Sequence, residues 1–428
     1  MKTVILIIAT LAISIGMAIS QACLPEGITF TSQEQIDNFQ VNYPDCSDLI
    51  GEVIIMGNDI TNLNGLIVLT TIGGSLTIGQ YYGANPSLTN LAGLDNLTFI
   101  GGSLEIVSIG ALACLAGLNN LTSLGGGLKI CDNGALTTLT DLDGLTSLGG
   151  SLDIWLNGSL TSLMGFENLT SIGGLTIAQN GALTSLSGLN NVTSIGGEVG
   201  FTNNYALTSL TGLENLTSIA GRLIIANNYA LTSLTGLDNV TSLGGGLRIQ
   251  FCNLLTSLTE LNNLTSIGGY LILDNNALTS LTGLDNIASG SITCLEITGN
   301  NSLSTCAVQS ICDYLAEPGS LVNIGYNAPG CNSPDEVEAA CLTMVEEIYS
   351  GNGFTFIPNP SNDEITVSLP VITGITRILI FNVNGEKVME RQLTNNETQF
   401  DISALPPGVY FARVQDEKQV LTRKLIKQ

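Results

Sequence analysis

The sequence predicts an all-β protein: a right-handed β-solenoid of about 24 residues per turn with small helical disulfide caps, followed by a small β-sandwich. Within the repeats, short runs alternate apolar and polar residues and are broken by Gly and Asn, which favours strands joined at corners. A change of composition after Gly353 predicts a separate C-terminal module. Leucine recurs in steps of 23 or 24 residues, at Leu88, Leu112, Leu136, Leu160, Leu183, Leu207, Leu231, Leu255 and Leu278.

Composition excludes several classes of function. The 428 residues include 36 acids, 12 bases and no histidine. Without His there is no Ser-His-Asp or Cys-His catalysis and no imidazole metal site. The net charge of -24 disfavours binding to nucleic acid or to anionic membranes. We therefore predict a protein that is not an enzyme and that carries neither a cofactor nor a metal.

The N-terminal segment 1–22 has the pattern of a secretory signal peptide. Lys2 precedes an apolar run from Val4 to Ile19, and small residues follow, so cleavage is expected before Gln21 or Cys23. No later apolar run approaches the length of a membrane-spanning helix, which is about 20 residues. Ten cysteines in an exported chain favour disulfides over thiols or zinc.

The solenoid needs a cap at each end. We predict an N-terminal cap over 23–52, repeats over 53–303 and a helical disulfide cap over 304–350. Thr31-Ser-Gln-Glu34 resembles a capping box that opens a short helix, and Glu52–Ile55 is the first predicted strand. Three short sides per turn and ten turns predict a rod about 50 Å long.

Six cysteines lie in the predicted caps. Cys23 and Cys46 bracket the N-terminal helix, whereas the C-terminal four allow three pairings that the sequence leaves open. Ser333-Pro-Asp-Glu336 supplies a cap, a proline at the first helical position and acids in the first turn, so it opens the second of two helices there. The C-terminal four are Cys306, Cys312, Cys331 and Cys341.

Two asparagine columns indicate that the turns stack in register. Because an amide both donates and accepts, stacked copies can bond one another and the turn backbone. The second column also creates Asn-x-Thr sequons, for which a structural role is favoured over glycosylation. The first column is Asn133, Asn157, Asn180, Asn204, Asn228, Asn253 and Asn276, and the second is Asn96, Asn120, Asn168, Asn191, Asn215, Asn239, Asn263 and Asn286.

The unit LTSLxGLxNLTSIGGxLxIxxN, preceded by a Cys-bounded helical cap, resembles the receptor L domain of growth-factor and insulin receptor ectodomains. The resemblance covers about 23–350 and implies a leucine-rich solenoid. The sequence contains no furin-like module, transmembrane helix or kinase, so receptor signalling is not implied.

The C-terminal segment 354–428 contains eight bases and eight acids and reads as a small β-sandwich. Its ordered motifs resemble the type A C-terminal sorting domain of the bacterial type IX secretion system. The resemblance implies passage through that machinery to the surface or medium of a Gram-negative bacterium, with removal of the domain. The residues that carry it are Asn359, Pro360, Gly385, Gly408, Tyr410 and Lys424.

Candidate ligand-binding residues lie on one face of the solenoid. If GGxLxIxx is the strand, Leu and Ile point inward and the residues between them outward. The three bases of the repeats and the single tryptophan all fall on this outward face. The Gln80–Pro86 insertion, which makes one repeat longer than the others, adds two tyrosines. The candidates are Trp155, Arg248, Tyr270, Lys129, Arg222, Tyr81 and Tyr82.

Three functions follow from these patterns. The first is a secreted or surface binding or adhesion protein with an unidentified protein or glycan ligand. The second is a structural surface-layer or matrix protein, in which Lys129 and Arg222 only neutralise the acids of adjacent turns. The third is a glycan-cleaving enzyme built on Glu105, Lys129 and Asp153, which uniform turns without long loops disfavour.

Overall fold

The computed structural model describes residues 21–81, 85–275, 277–347, 355–357, 361–369, 376–383, 385–393, 395–415 and 420–428. Within them a parallel β-solenoid precedes a two-sheet antiparallel module, which confirms the predicted all-β fold class. Residues 1–20 of the predicted signal peptide lie outside the described ranges, whereas Gln21 and Ala22 belong to the first strand.

The described part of the solenoid contains 24 strands, most of them two to four residues long. Their bounds are β1 (Gln21–Cys23), β2 (Ile28–Phe30), β3 (Cys46–Leu49), β4 (Val53–Ile55), β5 (Thr71–Ile72), β6 (Leu76–Gly79), β7 (Phe99–Ile100), β8 (Leu104–Val107), β9 (Ser123–Leu124), β10 (Leu128–Cys131), β11 (Ser147–Leu148), β12 (Leu152–Trp155), β13 (Ser171–Ile172), β14 (Leu175–Ala178), β15 (Ser194–Ile195), β16 (Val199–Thr202), β17 (Ser218–Ile219), β18 (Leu223–Ala226), β19 (Ser242–Leu243), β20 (Leu247–Gln250), β21 (Ser266–Ile267), β22 (Gly269–Asp274), β23 (Ile292–Thr298) and β24 (Val322–Gly325).

One side of the solenoid is a continuous parallel sheet of 13 strands, here called the main sheet, in the order β2-β4-β6-β8-β10-β12-β14-β16-β18-β20-β22-β23-β24. A second side carries the short strands, in the orders β1-β3-β5-β7-β9-β11 and β13-β15-β17-β19-β21. Twelve steps of about 4.8 Å make the main sheet about 58 Å long. The sheet has 13 strands where ten turns were predicted: the repeats over 53–303 supply eleven, and the caps add β2 and β24.

A single repeat explains this shape. Leu207, Leu210, Leu213, Leu216 and Ile219 are all buried and follow one another every third residue. Only the β18 segment then alternates, with Leu223 and Ile225 buried and Ile224 outward. Because alternation every second residue is the strand signature, one full strand forms per turn. The three predicted short sides are therefore not alike: two carry the main strands and the short strands, and the third consists of turns and of 3-10 helices at Asn64–Leu66, Thr140–Leu142 and Thr259–Leu261. A fourth 3-10 helix, Ser289–Ser291, takes the place of the short strand ahead of β23.

Stacked glycines allow the third side to pack closely. Gly212 has φ of +116°, and a Cβ there would lie 2.2 Å from the Leu186 carbonyl oxygen of the preceding turn. Only glycine combines that backbone conformation with that approach. Gly93, Gly117, Gly165, Gly188, Gly236 and Gly283 repeat the arrangement in other turns.

A buried asparagine ladder follows the main strands. The Asn180 amide donates to the Ile154 carbonyl at 2.9 Å, and its Oδ1 accepts from the Asn157 N–H at 3.0 Å. Each amide therefore satisfies backbone groups of the adjacent turn that burial would otherwise leave unpaired. The predicted column was correct through Asn228 but slipped afterwards, because the next ladder positions are Cys252 and Asn275. Asn276 lies outside the described residues.

The second asparagine column is exposed and bonds the turn backbone only. The Asn215 amide donates to the Asn190 carbonyl at 2.7 Å, and Asn239 donates to the Glu214 carbonyl at the same distance. A neighbouring threonine column continues the pattern, with the Thr217 hydroxyl donating to the Thr193 carbonyl at 3.0 Å. These contacts give the sequon asparagines a structural role.

Helices close both ends of the solenoid: α1 (Gln33–Asp37), α2 (Phe39–Asn42), α3 (Gln309–Leu315) and α4 (Pro334–Glu347). The N-cap of α1 is Ser32 rather than Thr31, since the Ser32 hydroxyl accepts from Gln35 N–H and the Gln35 side chain accepts from Thr31 N–H. At α4 the predicted Ser333 cap is present, accepting from Glu336 N–H at 3.2 Å. None of the described helices combines the length and apolar composition needed to cross a bilayer.

The cap cysteines form three disulfides, which pair Cys23 with Cys46, Cys306 with Cys331, and Cys312 with Cys341. The C-terminal pairing that the sequence left open is thereby resolved. The expectation that all ten cysteines form disulfides was wrong, since Cys114, Cys131, Cys252 and Cys294 are free thiols.

The C-terminal module has two antiparallel sheets around its own apolar core, as predicted for a β-sandwich. Ile365, Ile378, Ile380 and Leu425 are fully buried in that core. The sheet orders are β25-β26-β29 and β28-β27-β30-β31. The strands are β25 (Thr355–Ile357), β26 (Glu364–Ser368), β27 (Thr376–Asn382), β28 (Lys387–Leu393), β29 (Glu397–Asp401), β30 (Gly408–Gln415) and β31 (Val420–Lys427).

Candidate binding face

The outward residues of the main sheet stand in registered columns. Lys129 pairs with Glu105 of β8 on one side and with Asp153 of β12 on the other. Farther along the same column, Arg248 lies between Ile224 and Ile272. The predicted register is therefore correct, and adjacent members of a column lie about 4.8 Å apart.

Three candidate residues meet in one place, here called the aromatic–lysine cluster: Tyr81, Lys129 and Trp155. The Tyr81 ring stacks on the Trp155 indole, with centroids 6.3 Å apart and planes 25° apart. The Lys129 ammonium lies 5.2 Å from the centre of the Tyr81 ring, within the range of a cation–π contact. Tyr81, which follows Gln80 at the start of the insertion, thus lies against the outer face of the sheet, while Tyr82 lies outside the described residues.

The charges in this cluster are balanced locally. Lys129 forms an ion pair with Glu105 at 3.5 Å, and its hydrogen bond with Tyr81 and the Glu105 charge raise the pKa of the lysine. Asp153 accepts from the Ser151 hydroxyl at 2.5 Å. Beneath Tyr81 lies the buried Cys131, where burial raises the thiol pKa to about 11.

A pocket of about 400 Å³ opens beside the cluster. This volume falls within the range of about 300 to 1,000 Å³ typical of small-molecule sites. Its lining combines an aromatic surface, two carboxylates, an ammonium and hydroxyls, from Trp155, Glu105, Asp153, Lys129, Ser103 and Ser151. Sequence analysis identified the charged residues and Trp155 but missed Ser103 and Ser151, whose hydroxyls are indistinguishable from the other serines of the repeat.

The remaining candidates form a second group, here called the arginine–tyrosine cluster: Arg222, Arg248 and Tyr270. The Arg248 guanidinium lies 5.3 Å from the Tyr270 ring centre. Arg222 forms a 2.8 Å ion pair with Glu198, and hydrogen bonds to Glu198 and Tyr270 raise its pKa. Five strand steps, or about 24 Å, separate Lys129 from Arg248 along the column.

Tyr270 depends on a glycine that sequence analysis did not single out. A Cβ at Gly246 would lie 2.6 Å from the Tyr270 ring, so the ring rests directly on the backbone of Gly246, just before β20. This position holds the tyrosine between the two arginines. Arg248 is half-buried, and its Nε has no hydrogen-bond partner among the described residues.

Metal binding has no support in the described part of the chain, where no group of three or more Cys, Asp or Glu side chains could hold an ion. Asp274 of β22 lies close enough to Glu296 of β23 for the two charges to interact. Burial, followed by the Glu296 charge, raises the pKa of Asp274.

The predicted sorting residues fall at defined points of the C-terminal module. Gly385 adopts φ of +77° in the β27–β28 turn, and the Tyr410 hydroxyl donates to the Pro406 carbonyl at 2.7 Å. Lys424 of β31 pairs with Phe411 of β30, adjacent to the pair that contains Tyr410, and Gly408 pairs with Lys427. Asn359 and Pro360 lie outside the described residues.

Comparison with known families assigns this module. Residues 355–428 match the secretion system C-terminal sorting domain. The chain is thus an exported β-solenoid protein that carries a type IX sorting domain, which directs it to the cell surface or the medium. The sorting domain begins one residue after the predicted boundary at 354. A comparison of the chain with curated proteins found no match.

Proposed function

We propose that this protein is a non-catalytic binding or adhesion protein whose recognition surface is the outer face of the main sheet. The observation that carries the proposal is the convergence of Tyr81, Lys129 and Trp155 beside a pocket. Aromatic and guanidinium side chains dominate the affinity of many interfaces. The arginine–tyrosine cluster supplies a second group of this kind on the same face.

The uniform turns favour a binding role over a catalytic one. Most steps between main strands are 23 to 24 residues, so few long loops border the face, and the lysine of the Glu105–Lys129–Asp153 column is already paired with Glu105. An enzyme of this architecture would require turnover of a glycan that disappears in Asp153→Asn. We expect none.

A purely structural surface-layer role is the second candidate. It is favoured by the ion pairs of Lys129 with Glu105 and of Arg222 with Glu198, which neutralise acids in adjacent turns without any ligand. The asparagine ladder serves stacking under either function.

Binding measurements on variants separate the two candidates. We would apply the purified, labelled protein to a glycan array and to immobilised mucin and matrix proteins. Trp155→Ala and Arg248→Ala should each weaken binding at least tenfold, because each removes an anchor of one cluster. Tyr326→Ala is the matched control, since this tyrosine is 84% exposed and lies at a corner rather than on the face. Equal binding by all four proteins would favour the structural role.

A further inference from the structure

We infer that the pocket beside the aromatic–lysine cluster is a subsite for an uncharged sugar, a pyranose bound through its hydroxyls and one C–H face. This inference rests on the proposed binding function and specifies the ligand class. It follows from three properties of the pocket: its aromatic wall, the hydrogen-bond donors and acceptors that line it, and its net charge.

The aromatic wall is Trp155. Its indole lines the pocket and is held in place by the stacked ring of Tyr81. Because the stacking ring follows β6 and the indole ends β12, two separate strands fix the wall, which is preorganised and loses little entropy on binding. A flat apolar ring at the edge of a wet, polar pocket suits a ligand with one apolar face and a polar rim.

The hydrogen-bonding groups in the pocket are mainly acceptors. Glu105 and Asp153 are carboxylates, which only accept when ionised. Among the described residues, Glu105 contacts Lys129 through Oε2 and Asp153 contacts Ser151 through Oδ2, so Oε1 and Oδ1 are available. A ligand must therefore present several donors at short spacing. The adjacent hydroxyls of a sugar do so, and they can also accept from the Lys129 ammonium.

The charge of the pocket selects against acidic sugars. Two carboxylates and one ammonium leave a net charge of about -1, and the ammonium is already engaged with Glu105 and with the Tyr81 ring. A ligand carboxylate would be repelled by Asp153, and the Lys129 charge that could offset this repulsion is already balanced by Glu105. Neutral pyranoses incur no such repulsion.

The single tryptophan makes the test direct, since Trp155 is the only indole in the chain and its emission reports on this pocket alone. We would titrate the purified full chain with the methyl glycosides of glucose, galactose, mannose and N-acetylglucosamine, and with their β-linked disaccharides. Methyl glucuronide is the matched acidic probe for methyl glucoside. At least one neutral glycoside should shift the emission saturably, with the glucuronide at least tenfold weaker.

Two variants test the role of the carboxylate. Asp153→Asn should weaken the neutral sugar about tenfold, because a hydrogen bond to a charged group is lost. The same substitution should also reduce the difference in affinity between methyl glucoside and methyl glucuronide, because it removes the charge that repels the glucuronide. Asp132→Asn makes the same charge change outside the pocket, where Asp132 accepts from the Ser108 hydroxyl, and should leave both affinities unchanged.

Different failures have different meanings. If no neutral glycoside shifts the emission while Trp155→Ala abolishes binding to the arrayed ligands, the sugar subsite is wrong and the binding face stands. If no glycoside binds and Trp155→Ala changes nothing on the arrays, both proposals are wrong. Tighter binding of methyl glucuronide than of methyl glucoside would overturn the charge argument and with it the neutral-sugar assignment.

Discussion

The ring of Tyr81, just after β6, stacks on the indole of Trp155 at the end of β12, although these two strands are three steps apart in the main sheet. Three steps correspond to about 14 Å, so Tyr81 reaches across β8 and β10 and covers the buried Cys131 on the way. Tyr81 thereby supports the indole that lines the pocket.

Removing that cover should make Cys131 reactive. In Tyr81→Ala we expect iodoacetamide to alkylate Cys131 at least ten times faster than in the unmodified protein, because exposure restores access and lowers the thiol pKa from about 11. Mass spectrometry of the alkylated peptides provides the rates. Cys252 is the internal control, since it is buried far from Tyr81 and its rate should not change. An unchanged rate at Cys131 would show that Tyr81 does not shield it.

Cys252 is a defect in the asparagine ladder. Its thiol faces the Ile225 carbonyl at 3.9 Å, where an asparagine elsewhere in the ladder donates at about 2.8 Å, as Asn204 does to Ile177. In Cys252→Asn the new side-chain amide should donate to the Ile225 carbonyl, and its oxygen should accept from the Asn228 N–H. These two hydrogen bonds should raise the free energy of unfolding by about 1 kcal/mol. Urea denaturation measures the change. Asn228→Ala removes the hydrogen bonds that this side chain makes with the Phe201 carbonyl and the Asn204 N–H, and it should lower the free energy of unfolding by about 1 to 3 kcal/mol. A lower free energy of unfolding in Cys252→Asn as well would contradict this account of the ladder.

The same thiol predicts a pH dependence. Burial raises the pKa of Cys252 from 9.0 to about 11, so the unfolded chain releases this proton first as the pH rises. The free energy of unfolding should therefore fall between pH 9 and 11, by about 2 to 3 kcal/mol for this group. Cys252→Asn lacks the group, and its stability advantage over the unmodified protein should widen by that amount across the window. A constant difference between the two proteins from pH 9 to 11 would contradict the assignment.

Gly246 and Gly200 offer a matched pair of glycines on the same face. A Cβ at Gly246 would strike the Tyr270 ring at 2.6 Å, whereas a Cβ at Gly200 would meet nothing within 4 Å. Gly246→Ala should displace Tyr270 from Arg248 and destabilise the protein by about 0.5 to 2 kcal/mol. Gly200→Ala should be neutral or stabilising by up to about 1 kcal/mol. The measurement is the urea midpoint of each variant relative to the unmodified protein. Equal midpoints for the two variants would mean that Tyr270 does not rest on the backbone of Gly246.

The sequence predicted the parts of this fold that depend on periodicity. Alternation in segments such as Leu223–Ala226 identified the main strands, and the 24-residue step placed Lys129 beside Glu105 and Asp153. The same step places Tyr205 and Tyr229 one turn apart, and their rings stack with centres 5.5 Å apart and planes 2° apart. Local chemistry was sufficient in each case.

Features that depart from the regular repeat, or that depend on backbone approach between turns, were not predictable in the same way. Leucines at every third residue build turns whose backbone passes over stacked glycines such as Gly212, and the glycine alone does not show which backbone it approaches. The ladder residue before Asn253 is a cysteine, so a search for asparagine slipped by one position. The position of the Tyr81 ring against Trp155, three strands away in the main sheet, leaves no periodic signal in the sequence.

The central claim is that the solenoid works outside the cell as a binding protein, delivered there by its sorting domain. Intact mass spectrometry of the protein in the native host, measured separately in the medium, surface, periplasmic and cytoplasmic fractions, tests it most directly. We predict an extracellular or surface species that lacks residues 355–428 and retains the solenoid with its three disulfides. A full-length chain that stays inside the cell would contradict the claim.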